Sequence, residues 1–506
     1  MKTLKIKYII IALIIAVGIS SCNEDFLTVE PKGTALEQNY YRNETEAYSA
    51  LIATYDIIGK NSSGFENMIT MMNAGSDDHN AGGGSATDGA GIHAFNNYTI
   101  NSTTVPSSFW DNNFQGIFRA NVLLSKLPKI PMDDTKKLRF AAECKALRAF
   151  YNFELVRMFK NIPLLTSTVS PNDIASVIQS NPTVVYAQIE KDLIEAITDL
   201  PINVSASENN DERGRLNKGA AQALLGKVYL YEGKNNLAAV QLAEVNGTPG
   251  GTSVYGYKLI PVFKNLWTIG SKFNTESIIE INHTNKSNAT YGNWGGSAAE
   301  GNLVNQMIGP RGYTKLSPTA PDFASGWSFN PVTQSLYDVM KTDPRFDATI
   351  ADLKALKQQG KINYAPGDQD TGYFLKKFMP LNSDISSEGG EAVLNYRQNT
   401  YAIRLADTYL MEAEALGGTG TRAQALLNAV RTRVGLSPIT VSIDNIMAER
   451  RLELAGEGHR WFDLVRTGRA ATILATKGFI AGKNEIWPIA LKELTNTSIV
   501  QNPGYN

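Results

Sequence analysis

Cysteine is nearly absent from this sequence, since Cys22 and Cys144 are the only two among 506 residues. Two cysteines can form at most one intrachain disulfide, which excludes the cross-linked scaffolds of small secreted proteins. Cys144 lies within a helical apolar pattern, and no histidine with asparagine or aspartate identifies it as a nucleophile. We expect Cys144 to be a small core residue.

Histidine is also scarce. His79, His93, His283 and His459 lack the spacing of metal ligands, and the chain contains neither HExxH nor CxxC. These patterns usually carry zinc chemistry, so a zinc site is not expected. Residues 368–372 resemble the start of a calcium loop but lack its later glutamate, which favours a solvated turn. We predict no metal and no cofactor.

Motifs of common enzyme sites are missing as well. Residues 82–84 are three glycines without the Lys-Ser/Thr of a phosphate-binding loop, and there is no Gly-x-Ser-x-Gly elbow. Asp77 and Asp78 could be a catalytic pair, but adjacent carboxylates more often cap a turn or bind polar groups of a ligand. A glycosidase needs its two acids on either side of the scissile bond. We predict no catalytic residues and no enzyme activity.

Charge of neither sign dominates the chain. It has 48 Lys and Arg against 49 Asp and Glu, and no basic run is present. Proteins that bind nucleic acid neutralise phosphates with clustered Lys and Arg. No nucleic-acid partner is therefore expected.

No apolar run is long enough to span a bilayer. The run from residue 9 to residue 17 follows three lysines, which is typical of a secretory leader. It ends in Ile-Ser-Ser directly before Cys22, and small residues before a cysteine are typical of a lipoprotein cleavage box. We predict that residues 1–21 are a signal peptide and that Cys22 becomes a lipidated amino terminus carrying palmitate. The alternative is an ordinary leader with a chance cysteine.

Apolar residues recur with helical period in much of the chain. Asn43 begins the first helix with a capping box completed by Glu46, and Asn181 and Asn217 begin two later ones. The predicted helices cover residues 43–58, 109–124, 138–153, 181–200, 217–233, 236–246, 401–416 and 421–434. Taken in order they make four pairs, an arrangement similar to degenerate tetratricopeptide repeats.

Two long stretches lack this period. Residues 59–106 are irregular and too long for a simple connection, and such loops usually carry function. Residues 247–400 are rich in Gly, Asn, Ser and Pro, with short β-like pieces such as residues 277–281. We divide the mature chain into an amino-terminal helical part (22–246), a loop-rich insertion (247–400) and a carboxy-terminal helical part (401–506).

Residues 448–468 predict two short packed helices separated by glycines. Arg450 falls within the apolar stripe of the first helix and therefore needs a buried carboxylate. Glu412 on the 401–416 helix is our first choice for that carboxylate, and Glu414 is the second.

Other charges of this stretch have the spacing of ion pairs. Glu453 and Glu457 are spaced to pair with Arg450 and Arg460. A structural network therefore explains them better than acid–base chemistry.

The same stretch resembles a carboxy-terminal pattern of the SusD/RagB family of bacterial outer-membrane lipoproteins, ER-x-x-E-L-x-x-E-G-x-R-x-x-D-L-x-R-x-G. The matching residues are Glu449, Arg450, Glu453, Leu454, Glu457, Gly458, Arg460, Asp463, Leu464, Arg466 and Gly468. Residues 501–505, Gln-Asn-Pro-Gly-Tyr, also resemble the family's ending. The resemblance implies a mainly α, SusD-like fold of degenerate helix pairs with a large irregular insertion carrying short strands.

The resemblance also implies a ligand site formed by loops of the two irregular stretches. A pyranose has an apolar face and a rim of hydroxyls, so it is held by an aromatic ring and by polar groups at the edge. The predicted ligand-binding residues are Tyr291, Asn293, Trp294 and Trp327 in the insertion, and Asp77, Asp78, His79 and Asn80 in the first loop. The alternative for each ring is packing within the insertion.

In function, the resemblance implies a non-catalytic lipoprotein of the cell outer membrane. It would bind oligosaccharide or polysaccharide and deliver it to a SusC-like TonB-dependent transporter. Asn23-Glu24-Asp25 is similar to the family's surface-export signal, which favours an outward-facing anchor. The alternatives are a peptide-binding, RagB-like uptake protein, a lipid-anchored glycoside hydrolase using acids such as Asp77 or Asp78, and a pure interaction scaffold.

Overall fold

The computed structural model describes residues 40–203, 212–292 and 299–505 of the chain. Within these ranges the protein is mainly α-helical, and its short strands lie between residues 277 and 404. This confirms the predicted mainly α fold class. The leader, Cys22, Asn293 and Trp294 lie outside the described residues.

The helices and strands are as follows. The amino-terminal part contains α1 Glu44–Ser63, α2 Met68–Ala74, α3 Ala90–Asn96, α4 Ser108–Lys126, α5 Asp134–Phe159, α6 Pro182–Asp199, α7 Lys218–Tyr231 and α8 Asn235–Asn246. The insertion contains α9 Leu303–Ile308, α10 Gln334–Met340, α11 Phe346–Thr349 and α12 Leu353–Gln358. The carboxy-terminal part contains α13 Leu405–Ala415, α14 Gly420–Arg433, α15 Ile443–Glu453, α16 Arg460–Arg466, α17 Ala470–Ile473 and α18 Leu491–Leu494. The strands are β1 Ser277–Ile281, β2 Arg311–Lys315, β3 Ile350–Asp352, β4 Ile362–Ala365, β5 Tyr373–Leu375 and β6 Thr400–Arg404.

Asparagine caps begin the helices where the sequence predicts them. The side chain of Asn43 accepts a hydrogen bond from the backbone N–H of Glu46, and that of Asn217 accepts one from Ala220. Asn181 does the same for α6, whose first residue is Pro182. Each cap satisfies an N–H group that the helix itself leaves unpaired. The predicted starts of these helices are confirmed.

The long helices pack side by side in one row, α1, α4, α5, α6, α7, α8, α13 and α14. All four predicted pairs are in contact, and α13 follows α8 directly in the row although the whole insertion separates them in sequence. The shared core contains the predicted core residue Cys144, and Trp110 and Trp461 are buried in it as well. The helical scaffold therefore bridges the amino- and carboxy-terminal parts.

The first irregular stretch is more helical than its sequence predicts. α1 continues past Gly59 to Ser63, and α2 and α3 both form within residues 59–106. Nearly every residue of α2 and α3 is buried, so neither shows the apolar-polar period that identifies a surface helix. Phe95 of α3 packs edge-on against Trp461 and Trp487, with ring centroids 5.3 and 4.8 Å apart. Tertiary contacts of this kind hold such short helices.

The insertion contains three two-stranded antiparallel sheets, which pair β1 with β6, β2 with β4 and β3 with β5. The predicted strand at residues 277–281 is confirmed as β1. Its partner β6 corrects the predicted helix start at Tyr401, because residues 400–404 pair with β1 and the helix begins at Leu405. A short buried strand that runs directly into a helix is hard to separate from the helix by period alone.

The predicted ion-pair network is present, but with different partners. Glu453 is fully buried and accepts hydrogen bonds from Arg345, Arg404 and Arg433, while Glu457 accepts from Arg404 and Lys377. Burial opposes ionisation of Glu453, but the three guanidinium groups outweigh it and hold the pKa of Glu453 well below its usual value. The pairing predicted from spacing is wrong, because these carboxylates face the insertion, β6 and α14 and do not face their own helix neighbours.

Arg450 is buried as predicted, but neither predicted partner contacts it. It pairs with Asp407 on α13 and Asp463 on α16. Glu412 instead pairs with Arg422, and Glu414 pairs with Arg466. Because α13 is buried on nearly all sides, its period could not show which acid faces Arg450.

Candidate functional site

The two stretches predicted to form the site lie side by side. His79 bridges to Val332 and Gly82 bridges to Phe329 in antiparallel β-bridges. The backbone N–H of Gly83 donates to the carbonyl of Ser328 at 2.9 Å. The long amino-terminal loop is therefore fixed against the segment of the insertion that carries Trp327.

The acidic pair of the first loop is structural. Arg460 binds Asp77 with two hydrogen bonds of 2.8 and 2.9 Å, and Arg451 binds Asp78 at 2.8 and 2.6 Å. Burial opposes ionisation of Asp77, but Arg460 outweighs it and lowers the pKa of Asp77, whereas burial and the Asp77 charge raise the pKa of Asp78. These arginines join the loop to α15 and α16. Both carboxylates are thus paired with arginines of the scaffold, and a ligand contact by Asp77 or Asp78 stays a prediction.

His79 is also placed inside. Its side chain is 0% exposed, and burial lowers its pKa to about 3, so the ring stays neutral. The ring therefore offers no exposed surface in this structure, and a ligand contact by His79 stays a prediction. Asn80 is partly exposed, and its backbone N–H donates to the carbonyl of Pro331. A ligand contact by Asn80 stays a prediction.

Trp327 is partly buried and rests on other aromatic rings. Its centroid lies 6.1 Å from that of Phe65, which in turn meets Phe329 edge-on at 5.2 Å. Trp327 therefore belongs to a local aromatic cluster, although its sequence neighbours are glycine and serine. Such support holds an aromatic ring in one orientation and leaves part of it accessible.

A polar pair adjoins this tryptophan segment. The guanidinium of Arg311 donates to Asp88 at 2.9 Å and to the backbone carbonyl of Trp327 at 3.1 Å. Both side chains of the pair are about a third exposed, at 35% and 34%. Residues 84–87 beside Asp88 are exposed as well. We name Phe65, Asp88, Arg311 and Trp327 the loop-junction surface.

The loop-junction surface combines an apolar face with polar groups at its edge. The aromatic pair offers an apolar platform, and the ion pair offers hydrogen-bond donors and acceptors at its edge. Sequence reasoning selected Trp327 as a candidate but did not select Phe65, Asp88 or Arg311. No local pattern distinguishes those three residues, since only the pairing of two distant loops brings them together.

Two family models match consecutive stretches of the chain. A family described as "Starch-binding associating with outer membrane" matches residues 37–230, and the SusD family matches residues 270–505. A structure titled "Laminarin binding SusD-like protein" is 60% identical, with a TM-score of 0.90 over 92% of this chain and 100% of that one. The chain belongs to the SusD/RagB family.

More distant SusD-like proteins agree with this. Surface glycan-binding protein A from Bacteroides thetaiotaomicron, in complex with laminarihexaose, is 26% identical with a TM-score of 0.80, over 91% of this chain and 99% of that one. SusD-like protein P38 from Formosa agariphila is 25% identical over the full length of both chains. The resemblance read from residues 449–468 therefore extends over the whole SusD-like chain.

The structure describes only some of the remaining residues predicted to contact a ligand in this SusD-like protein. Tyr291 is 56% exposed, while Asn293 and Trp294 lie outside the described residues. Asp370, at the turn that resembled a calcium loop, accepts hydrogen bonds from Tyr364 and Gly372. Across residues 40–203, 212–292 and 299–505, no three His, Cys, Asp or Glu side chains are grouped to hold a metal ion.

In the described part of this SusD-like chain, none of the helices has both the length and the apolar character needed to cross a membrane. The predicted means of attachment is the lipid at Cys22, which lies before the first described residue. Membrane attachment through Cys22 therefore stays a prediction.

Proposed function

We propose that this SusD-like protein binds a laminarin-type glycan at the loop-junction surface and performs no chemistry on it. The observation that carries the proposal is the supported ring of Trp327 beside the Arg311–Asp88 pair. The 60% identity to a laminarin-binding SusD-like protein supports the choice of glycan. Tyr291, Asn293 and Trp294 are proposed as further contacts of the same ligand.

The state of the acidic pair supports the non-catalytic reading. A glycosidase needs one carboxyl group to give up a proton and another to attack or to activate water. Asp77 and Asp78, the acids considered for that role, are both bound by arginines that hold the loop in place. Their arrangement suits a structural ion pair better than a pair of groups facing a glycosidic bond.

We further propose that the protein is anchored by a lipid on Cys22 to the outer membrane, faces the exterior, and delivers its glycan to a SusC-like TonB-dependent transporter. The leader, the cysteine that follows it and the acidic residues after Cys22 support this location. The family description of association with the outer membrane supports it too.

Titration calorimetry with laminarihexaose tests the proposed ligand. Trp327→Ala removes the apolar platform, so binding should weaken by about 1 to 3 kcal/mol. Trp327→Phe retains a ring and should recover part of that loss. Phe118→Ala is the matched control, because Phe118 is an exposed aromatic residue on α4 and not part of the loop-junction surface.

Three outcomes would contradict the proposal. Unchanged affinity in Trp327→Ala would remove the loop-junction surface as the binding site. Binding of peptides in preference to glycans would favour a RagB-like cargo. Release of shorter sugars from laminarihexaose by the wild-type protein would favour a glycoside hydrolase. Melting curves of each variant separate loss of binding from loss of folding.

A further inference from the structure

Arg311 connects the two segments that form the loop-junction surface. Its backbone N–H donates to the hydroxyl of Ser328 at 3.0 Å, and its Nε donates to the carbonyl of Trp327 at 3.1 Å. Its terminal nitrogen donates to Asp88 Oδ2 at 2.9 Å. One side chain thus binds the tryptophan segment and the amino-terminal loop at the same time.

The amino-terminal loop is shaped around this guanidinium. The backbone N–H of Gly84 donates to the same Asp88 oxygen at 2.7 Å. A Cβ on Gly84 would lie 2.7 Å from the terminal nitrogen of Arg311, and one on Gly83 would lie 2.8 Å from the ring of Phe329. Gly83 also has a φ of +87°, a conformation that favours glycine. The backbone of residues 83–84 therefore lies so close to Phe329 and Arg311 that glycine is favoured at both positions.

We infer that Arg311 is a positioning residue, which fixes residues 82–89 against Trp327 and so preorganises the surface for its ligand. The effect of Arg311 on ligand binding rests on the proposed function, whereas its contacts with Asp88 and Trp327 do not. A preorganised surface loses less conformational entropy when a ligand binds, so it binds more tightly than the same groups on a free loop.

The pair also retains hydrogen-bonding capacity for a ligand. One terminal nitrogen of Arg311 and the Oδ1 of Asp88 have no hydrogen-bond partner within the described ranges, and both side chains are about a third exposed. A sugar hydroxyl both donates and accepts, so adjacent hydroxyls match an adjacent donor and acceptor. Arg311 and Asp88 are thereby assigned to the edge of the bound sugar ring.

Replacement of Arg311 by methionine tests this role with two measurements. The first is the Kd for laminarihexaose by calorimetry, which should rise about tenfold as preorganisation is lost. The second is hydrogen exchange of residues 82–89 without ligand, which should become faster because Gly84 loses its fixed acceptor. Arg311→Lys should recover part of both effects, since one ammonium can contact Asp88 but cannot replace the forked guanidinium.

Arg469→Met is the matched control. Arg469 is 34% exposed, pairs with the exposed Asp444 and is not part of the loop-junction surface. It should change neither the Kd nor the exchange of residues 82–89. If Arg311→Met does not fold, Arg311→Gln is the second variant, because it keeps a polar side chain but removes the charge and the forked guanidinium that binds Asp88 and Trp327 together.

Unchanged exchange and unchanged Kd in Arg311→Met, or in Arg311→Gln in its place, would overturn the inference. Faster exchange with an unchanged Kd would also overturn it, because Arg311 would then hold the loop without affecting binding. If wild-type protein binds no laminarihexaose, the proposed function fails, while the exchange measurement still decides whether Arg311 fixes the loop.

Discussion

Arg450 lies between Asp407 and Asp463, which belong to different helices. Its terminal nitrogen donates to Asp407 at 2.7 Å, and its Nε donates to Asp463 at 2.8 Å. Lys227 lies 3.5 Å from the other oxygen of Asp407. Asp407, Arg450 and Lys227 are at most 5% exposed, so each charge depends on the others to offset the cost of leaving water.

Arg450→Met should destabilise the protein by about 3 to 5 kcal/mol, because Asp407 and Asp463 then lose their shared partner inside the protein. Guanidinium denaturation at neutral pH measures the change in the free energy of unfolding. Arg469→Met, which removes a half-exposed arginine, should shift it by less than about 1 kcal/mol. Equal stability of Arg450→Met and wild type would show that the buried network contributes nothing.

Acidification should reduce stability through three histidines, of which His79 and His283 are buried and His459 is partly buried. Burial lowers the pKa of His79 and of His283 to about 3 and that of His459 to about 4. Each ring is therefore neutral in the folded protein, whereas the unfolded chain takes up a proton below about pH 6.5. The stability that they contribute is complete above pH 6.5 and is lost as the pH falls toward the folded-state values.

The expected loss between pH 7.5 and pH 5 is up to about 2 kcal/mol for each of these histidines. Denaturation curves at the two pH values measure the total loss. It should shrink in His79→Gln, because glutamine cannot take up a proton. NMR resonances of the His79, His283 and His459 rings that moved with a midpoint near pH 6.5 would contradict the prediction.

Cys22→Ala should release the protein from the membrane, because no other predicted segment of the mature chain attaches it. Fractionation of cells shows the release, and labelling with palmitate shows the loss of the lipid. Cys144→Ala is the control, since Cys144 is buried and should remain unlabelled. Continued palmitate labelling of Cys22→Ala would mean that another residue is lipidated.

The sequence predicted the parts of the fold that rest on local rules. Asn43, Asn181 and Asn217 begin helices because a capping side chain acts on the next few residues. The partners of Arg450 could not be predicted in the same way, since α13 is buried on nearly all sides. Spacing along α15 was equally uninformative for Glu453, whose partners come from three other segments of the chain.

The candidate site likewise contains residues that local sequence could select and residues that it could not. Trp327 could be selected because a large aromatic residue among glycine and serine is unusual. Asp77 and Asp78 were selected for a similar reason, but their arginine partners lie more than 370 positions later in the sequence. Arg311 and Asp88 could not be selected at all, because the loop pairing that joins them has no signature in either segment.

The pairing of β1 with β6 affects which parts of this chain can change in sequence and length. Ile281 and Thr400 are partners across that ladder, so the segment between them leaves and re-enters the helical scaffold at one place. Exposed loops of that segment can be lengthened or shortened without altering the separation of its two ends, whereas Arg345 and Lys377 join its interior to Glu453 and Glu457. Related chains can therefore differ in the loops that contact a ligand while the helical scaffold keeps the same structure.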